Sequence, residues 1–156
     1  MPAESAPCVA TDAAGLDLEQ QVCYSLSIAA RGVVAAYRPL LEPLGLTHPQ
    51  YLVMVALWQH GPLLVKELGA LLALDSGTLS PLLKRLDAMG LVSRERSASD
   101  ERQVTVTPTD SGVRLREEGA KVHEQVVRRL GLDVEELAEL QAVLRKVNES
   151  IGPASA

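Results

Sequence analysis

Between Val65 and Thr109 the hydrophobic period of the chain switches from helical to alternating and then back, and few folds accommodate that order. Val65-Lys-Glu-Leu-Gly-Ala-Leu-Leu-Ala73 carries apolar residues at helical spacing, and Leu74-Asp-Ser-Gly77 interrupts it. A second helical run, Ser76 to Ala88, starts with small hydroxyl residues and stops at Gly90, the expected left-handed residue after a helix. Beyond Gly90 the alternating segments Leu91–Ser97 and Gln103–Thr107 flank a polar turn, Ala98-Ser-Asp-Glu101, and read as a hairpin. Two short helices followed by an arginine-bearing hairpin form the pattern of a winged helix-turn-helix, in which the second helix enters a DNA major groove.

The side chains at each place suit that use. Ser76 is the expected N-cap, and Thr78 and Ser80 are small enough for the backbone to approach base edges and phosphates. Leu79, Leu82, Leu83 and Leu86 form the inward stripe, whereas Lys84 and Arg85 point outward for phosphate. Pro81 is expected within about the first turn, where its missing N–H costs little. On the hairpin, Arg94 and Arg96 share one face and Arg102 opens the second strand, a cationic edge suited to a narrow minor groove. Asp100, two residues before Arg102, is expected to hold that guanidinium by a charge-assisted bond. A charged hairpin by itself is an ordinary solvated surface, so the DNA reading rests on the succession of three matching elements.

Composition neither demands nor forbids this. The 156 residues suffice for one domain with appended helices, and the net charge is −5. From Ser76 to Arg102 five cations (Lys84, Arg85, Arg94, Arg96, Arg102) outnumber four anions (Asp87, Glu95, Asp100, Glu101), so a weakly cationic face sits on an acidic body. Local phosphate contacts set affinity, and the acidic remainder discourages non-specific adhesion. No apolar run approaches a membrane span, and Glu4, Asp12, Asp17 and Glu19 leave no basic leader, so a cytoplasmic protein is expected. Cys8 and Cys23 are then expected to be reduced thiols, one of which could sense oxidants. His48, His60 and His123 are scattered, and neither a metal site nor a cofactor is expected.

Flanking segments suggest further helices. Residues 1–15 are small, Pro- and Ala-rich and expected to be disordered. One long helix is expected from Leu16 to Leu41, ended by Pro39 and Pro43, with Cys23 in its second turn. Thr47 caps a second, mostly apolar helix from Pro49 to Trp58, closed by Gly61-Pro62. After the hairpin come helices over Pro108–Arg129 and Val134–Ile151, the last with a seam of Leu137, Leu140, Leu144, Val147 and Ile151. The expected fold is therefore mainly α with a small β-hairpin wing. Residues 16–156 would form a winged helix-turn-helix domain, with dimerisation helices at 16–47 and 113–152 around a DNA-binding lobe at 48–112. Long helices at both ends with an unspent apolar seam point to a two-fold homodimer on a pseudo-palindromic operator.

This arrangement resembles the MarR family of bacterial transcriptional regulators. The resemblance is carried by Leu74-Asp-Ser-Gly-Thr-Leu-Ser-Pro-Leu-Leu-Lys-Arg-Leu86, Gly90-Leu-Val-Ser-Arg-Glu-Arg96, Ser99-Asp-Glu-Arg102 and Val106-Thr-Pro-Thr-Asp-Ser-Gly112. Upstream, Val22-Cys-Tyr-Ser-Leu26, Ala36-Tyr-Arg-Pro-Leu-Leu41, Pro43-Leu-Gly-Leu-Thr47 and Pro49-Gln-Tyr-Leu-Val53 look like its organic-hydroperoxide-sensing, OhrR-type branch. That resemblance implies a repressor whose Cys23 is oxidised by an organic hydroperoxide, capped by a small thiol, and thereby made to release its operator. It also implies that Tyr37, His48 and Tyr51 surround the thiol, with Tyr37 reaching it across the dimer. His48 stands where the branch usually has a second tyrosine. No cysteine follows Cys23, so a resolving thiol in the C-terminal helices is absent and only Cys8 remains. Other readings are a repressor gated by a small aromatic or phenolic ligand, a thiol peroxidase lacking a paired thiol, and a pure dimerisation module.

Overall fold

A computed structural model describes residues 17–152; the segment expected to be disordered, and Cys8 within it, lie outside the described residues. Among the described residues seven α-helices and a three-stranded sheet follow in the order α1 (Val22–Leu41), α2 (His48–His60), β1 (Leu63–Leu64), α3 (Val65–Leu72), α4 (Ser76–Ala88), β2 (Val92–Arg96), β3 (Val104–Pro108), α5 (Asp110–Arg114), α6 (Arg116–Leu130) and α7 (Val134–Ile151).

The helix α2 is the buried centre, with Gln50, Tyr51, Val53, Met54, Ala56 and Leu57 out of solvent. Its start is fixed by Thr47, whose hydroxyl accepts from the Gln50 N–H while the Gln50 side chain accepts from the Thr47 N–H at 2.9 Å. That reciprocal cap satisfies two otherwise orphaned donors and explains how a glutamine is tolerated in the core. Leu68 of α3 and Leu79, Leu83 and Leu86 of α4 close on α2 from one side, and Val92 and Val106 of the sheet complete this core.

The sheet has the order β1-β3-β2, all antiparallel, with Leu63 opposite Val106 and Arg94 also opposite Val106 on the other edge. The strand β1 has no counterpart in the sequence reading: two residues are too short for an alternating pattern to register. It joins the helical lobe to the root of the hairpin.

Other expectations shift in instructive ways. The N-terminal helix is broken at Gln21: Leu18–Gln20 is a separate 3-10 turn capped by Asp17, whose carboxylate accepts from the Glu19 N–H at 3.0 Å. Cys23 consequently lies in the first turn of α1, not the second. Pro39 does not end α1 but sits inside its last turns; the chain leaves the helix through the 3-10 turn Glu42–Leu44, which contains Pro43, and the left-handed Gly45. The helix expected after the hairpin is two helices meeting at Leu115, the first capped by the Thr109 hydroxyl.

The last helix runs as expected, but none of its residues is buried, and Leu140 and Ile151 of its seam are 42% and 77% exposed. Only Tyr37 and Leu41 of α1 are buried, while Val22, Tyr24, Leu26, Ile28 and Val34 lie open. A single chain therefore leaves two long helices with uncovered apolar faces, more than a monomer ordinarily exposes.

Two aromatic hydrogen bonds strap α2 to the helices that follow the sheet. The Tyr51 hydroxyl donates to the Gly119 carbonyl at 3.1 Å, and the Trp58 indole N–H donates to the Gly112 carbonyl at 2.8 Å. Both glycines are needed for close approach, since a Cβ at Gly112 would run into the Leu91 carbonyl and one at Gly119 would meet the Trp58 ring. Gly112→Ala should thus destabilise the protein by about 2–3 kcal/mol, because a backbone carbonyl cannot move aside as a side chain can. Thermal unfolding checks this, with an expected fall of roughly 5–10 °C. Burial, with Tyr37 beside it as the lesser cause, pushes the Tyr51 phenol from 10.0 to about 12. Its contribution to stability is then fully present below pH 10.0 and lost as pH rises through about 12. Tyrosinate absorbance should show a phenol that ionises at about pH 12, and Tyr51→Phe should remove that step.

Candidate functional site

The outer face of α4 and the hairpin carry the residues expected to read DNA. Asp75, not Ser76, caps α4: its backbone is extended and its carboxylate accepts from the Thr78 N–H at 2.8 Å and the Thr78 hydroxyl at 3.0 Å. An aspartate competes better than serine for that place because the ionised carboxylate also meets the positive end of the helix dipole. The same hydrogen bonds, the backbone one first, hold the Asp75 carboxyl below its ordinary range. Ser76 is the first helical residue instead, and it is exposed, as are Thr78, Ser80, Lys84 and Arg85. Pro81 is the sixth residue of α4, deeper than expected, on the exposed side opposite Leu79, Leu83 and Leu86.

The helix ends as its sequence indicates. Gly90 is left-handed at φ 72°, its N–H donates to the Asp87 carbonyl, and the Leu91 N–H donates to the Leu86 carbonyl at 3.0 Å. This Schellman arrangement delivers the chain directly into β2. The Thr109 hydroxyl donates back to the Gly90 carbonyl at 2.6 Å, pinning the exit of the hairpin to its entrance.

At the hairpin tip the expectations for Asp100 and Arg102 need correction. Arg102 lies in the turn, two residues before β3 begins, and Asp100 accepts from the Arg102 backbone N–H at 3.0 Å instead of gripping its guanidinium. A short carboxylate two residues ahead of an N–H closes an Asx-type turn, and this local bond wins over the longer reach to a flexible guanidinium. The Arg102 side chain is left to line a recess with Lys66, Ser76 and Leu79 at the start of α4. Lys66 was not singled out in the sequence, because its lone charge on α3 has no signal until the sheet brings the tip beside it. Arg96 is exposed, whereas Arg94 is paired, its Nε donating to the Asp87 carboxylate at 3.0 Å.

A second cluster lies at the junction of α1 and α2. Tyr37 stands with its ring centre 4.8 Å from that of His48 and 5.4 Å from that of Tyr51, and Tyr51 continues to Trp58 at 6.2 Å. Burial raises the Tyr37 phenol and lowers the His48 imidazole, so His48 is neutral near pH 7. His48 also lines an open cavity of about 520 Å³ with Val34, Arg38, Leu46 and Pro49.

Cys23 is not part of this cluster within one chain. It is exposed, with Sγ 4.0 Å from the Gln21 side-chain oxygen, and 14 residues of continuous helix, about 21 Å, separate it from Tyr37. A second cleft of about 720 Å³ opens between α2 and α6, lined by Tyr51, Leu52, Trp58, Arg116 and His123. Among the described residues no group of three or more His, Cys, Asp or Glu is arranged to hold a metal ion, and no helix is long and apolar enough to cross a membrane.

Known proteins share this architecture. Residues 35–118 match the family model described as Transcriptional regulator SarA/Rot. The organic hydroperoxide resistance transcriptional regulator of Bacillus subtilis is 38% identical over 136 residues, spanning 87% of this chain and 92% of that protein. Reduced AbfR of Staphylococcus epidermidis bound to DNA superposes with a TM-score of 0.75 at 35% identity, covering 86% of this chain and 92% of that one. AbfR is also known overoxidized on DNA and in a disulfide form. Bordetella bronchiseptica BpsR, whose DNA binding is regulated by 6-hydroxynicotinic acid, superposes with a TM-score of 0.77 at 29% identity, covering 83% of this chain and 99% of that one. With its helix-turn-helix, its wing and these relatives, the chain belongs to the MarR-type winged-helix family of DNA-binding transcriptional regulators.

Proposed function

We propose that the chain works as a homodimeric repressor that holds operator DNA until an organic hydroperoxide oxidises Cys23. The observation that carries this reading is the division of one site between two places. Cys23 is exposed at the start of α1, and near the other end of the same helix Tyr37 packs on His48, which lines an open cavity. Two copies whose α1 helices cross antiparallel would bring each thiol to the partner's cluster and cover the open apolar faces of α1 and α7. Likeness to the B. subtilis hydroperoxide regulator supports the signal, and the DNA-bound AbfR supports the partner.

In the chemistry proposed, the Cys23 thiolate attacks the outer oxygen of the hydroperoxide. The O–O bond breaks, the organic alcohol leaves, and the sulfur keeps the oxygen as a sulfenic acid. A small thiol then condenses with it, forming an S–S bond and releasing water. Overoxidized AbfR is known on DNA, so we assign release to the bulky mixed disulfide, which a packed interface cannot admit without stepping to another arrangement. Ser76, Thr78 and Ser80 are assigned to base edges and adjoining phosphates, Lys84, Arg85 and Arg96 to phosphate, and Arg102 to the minor groove, with Asp100 shaping the tip.

A second reading has its own observation. The cleft bearing Tyr51, Trp58, Arg116 and His123 offers aromatic walls, one guanidinium and an imidazole to a small aromatic acid, and BpsR answers to one. Cys23→Ser separates the two readings: its affinity for DNA should stay within about twofold of the parent's, as for an exposed substitution, yet peroxide should no longer release it. Cys8→Ser should release like the parent. Gel shifts with and without cumene hydroperoxide and a small thiol check both. Release of Cys23→Ser by peroxide would refute the redox reading, and its release by an aromatic acid would select the second.

A further inference from the structure

The ion pair between Asp87 and Arg94 is the one side-chain contact among the described ion pairs that joins α4 to the hairpin. Asp87 lies in the last turn of α4, where a negative charge opposes the helix dipole and costs stability unless a cation answers it. Arg94 answers it from two residues into β2. It shares a strand face with Val92 and stands opposite Val106, both buried, so its stem rises from the core side of the sheet and its charged end turns to the helix. While the pair is closed, the Arg94 Nε–H is spent on Asp87.

We infer that Arg94 is a positioning residue: together with Asp87 it sets the angle between the recognition helix and the wing, so that both reach their grooves at once. The backbone joint between them, Met89 to Leu91, is fixed by the Gly90 turn and by the Thr109 bonds to Gly90 and Leu91, and β1 holds the far strand at Thr105 and Val106. Among the described residues the pair is the side-chain hydrogen bond that ties β2 directly to α4, and it adds to those backbone restraints at the point where the strand leaves the core. With side-chain exposures of 31% and 40% its worth to folding is small, and its effect falls on binding geometry instead.

The inference rests on the assignment of α4 and the wing as DNA-reading elements, and its test keeps the two apart. The probe is a DNA duplex selected by the parent protein from a random pool, with affinity measured across a salt series and thermal unfolding followed alongside. Asp87→Asn removes a negative charge near DNA, which by simple electrostatics should tighten binding. A positioning role demands the opposite, a weakening of about threefold to tenfold from lost preorganisation, with an unchanged salt slope. Arg94→Gln should match it in both respects. The exchanged pair, Asp87→Arg with Arg94→Asp, should recover most of the loss, with unfolding temperatures within a few degrees of the parent's throughout. Equal or tighter binding by Asp87→Asn overturns the inference. So does a salt slope reduced by about one in Arg94→Gln, the mark of a phosphate contact. Failure of the parent to select any duplex would instead overturn the DNA assignment.

Discussion

Burial of α2 is the constraint on which the rest of the molecule depends. Its inner face meets α3, α4 and the sheet, and its two aromatic polar groups reach the helices beyond the sheet through Gly112 and Gly119. Each of those hydrogen bonds is worth about 1 kcal/mol net, but their geometric effect is larger. They hold α2 against α5 and α6 with no room for a Cβ between. Tyr37, Tyr51 and Trp58 form a continuous aromatic column from the α1–α2 junction to the start of α5, directly after the wing. A disturbance at the junction therefore meets a packed path with few ways to yield, and closely packed interiors change in steps.

The acidic balance of the chain fits the same division of labour. Exposed Lys66, Lys84, Arg85, Arg96 and Arg102 are gathered on α3, α4 and the wing, whereas acids outnumber cations on α7, where Glu135, Glu136, Glu139 and Glu149 stand against Arg145 and Lys146. Of the acids on these same elements, Asp75 caps α4, Asp87 holds Arg94, Asp100 closes the wing turn and Glu67 accepts from the Leu64 N–H, while Glu95 and Glu101 are exposed. Acids on such a face are tolerable when they organise the backbone that does the reading.

Much of this was legible in the sequence because it is periodic. The helices at α2, α3, α4 and α7 and the two hairpin strands announce themselves by spacing, and Gly90 by its place after a leucine stripe. The errors arose where a local competitor is invisible to periodicity. Asp75 outbid Ser76 for the cap, the Arg102 N–H outbid its guanidinium for Asp100, and a helix tolerated Pro39 because only one bond near its end is lost. The break at Gln21 moved the start of the helix from Leu16 to Val22 and so put Cys23 in its first turn. What no sequence pattern could show were contacts between distant segments: the two-residue β1, the recess joining Lys66 to Arg102, and the Asp87–Arg94 pair, which is seven residues long in sequence but depends on the Gly90 turn.

In the proposed dimer the thiol of one chain is completed by the aromatic cluster of another. In a chain carrying Cys8→Ser and His48→Cys, a thiol at position 48 stands at the start of α2 beside Tyr37, at the opposite end of α1 from Cys23 and beyond the Cβ separation of roughly 3.5–4.5 Å that a disulfide requires. Mild oxidation followed by non-reducing electrophoresis should then give a covalent dimer in high yield, reversed by reductant and absent from the Cys23→Ser version of the same protein. A product that remains monomeric, or a dimer that still forms without Cys23, would contradict the shared site.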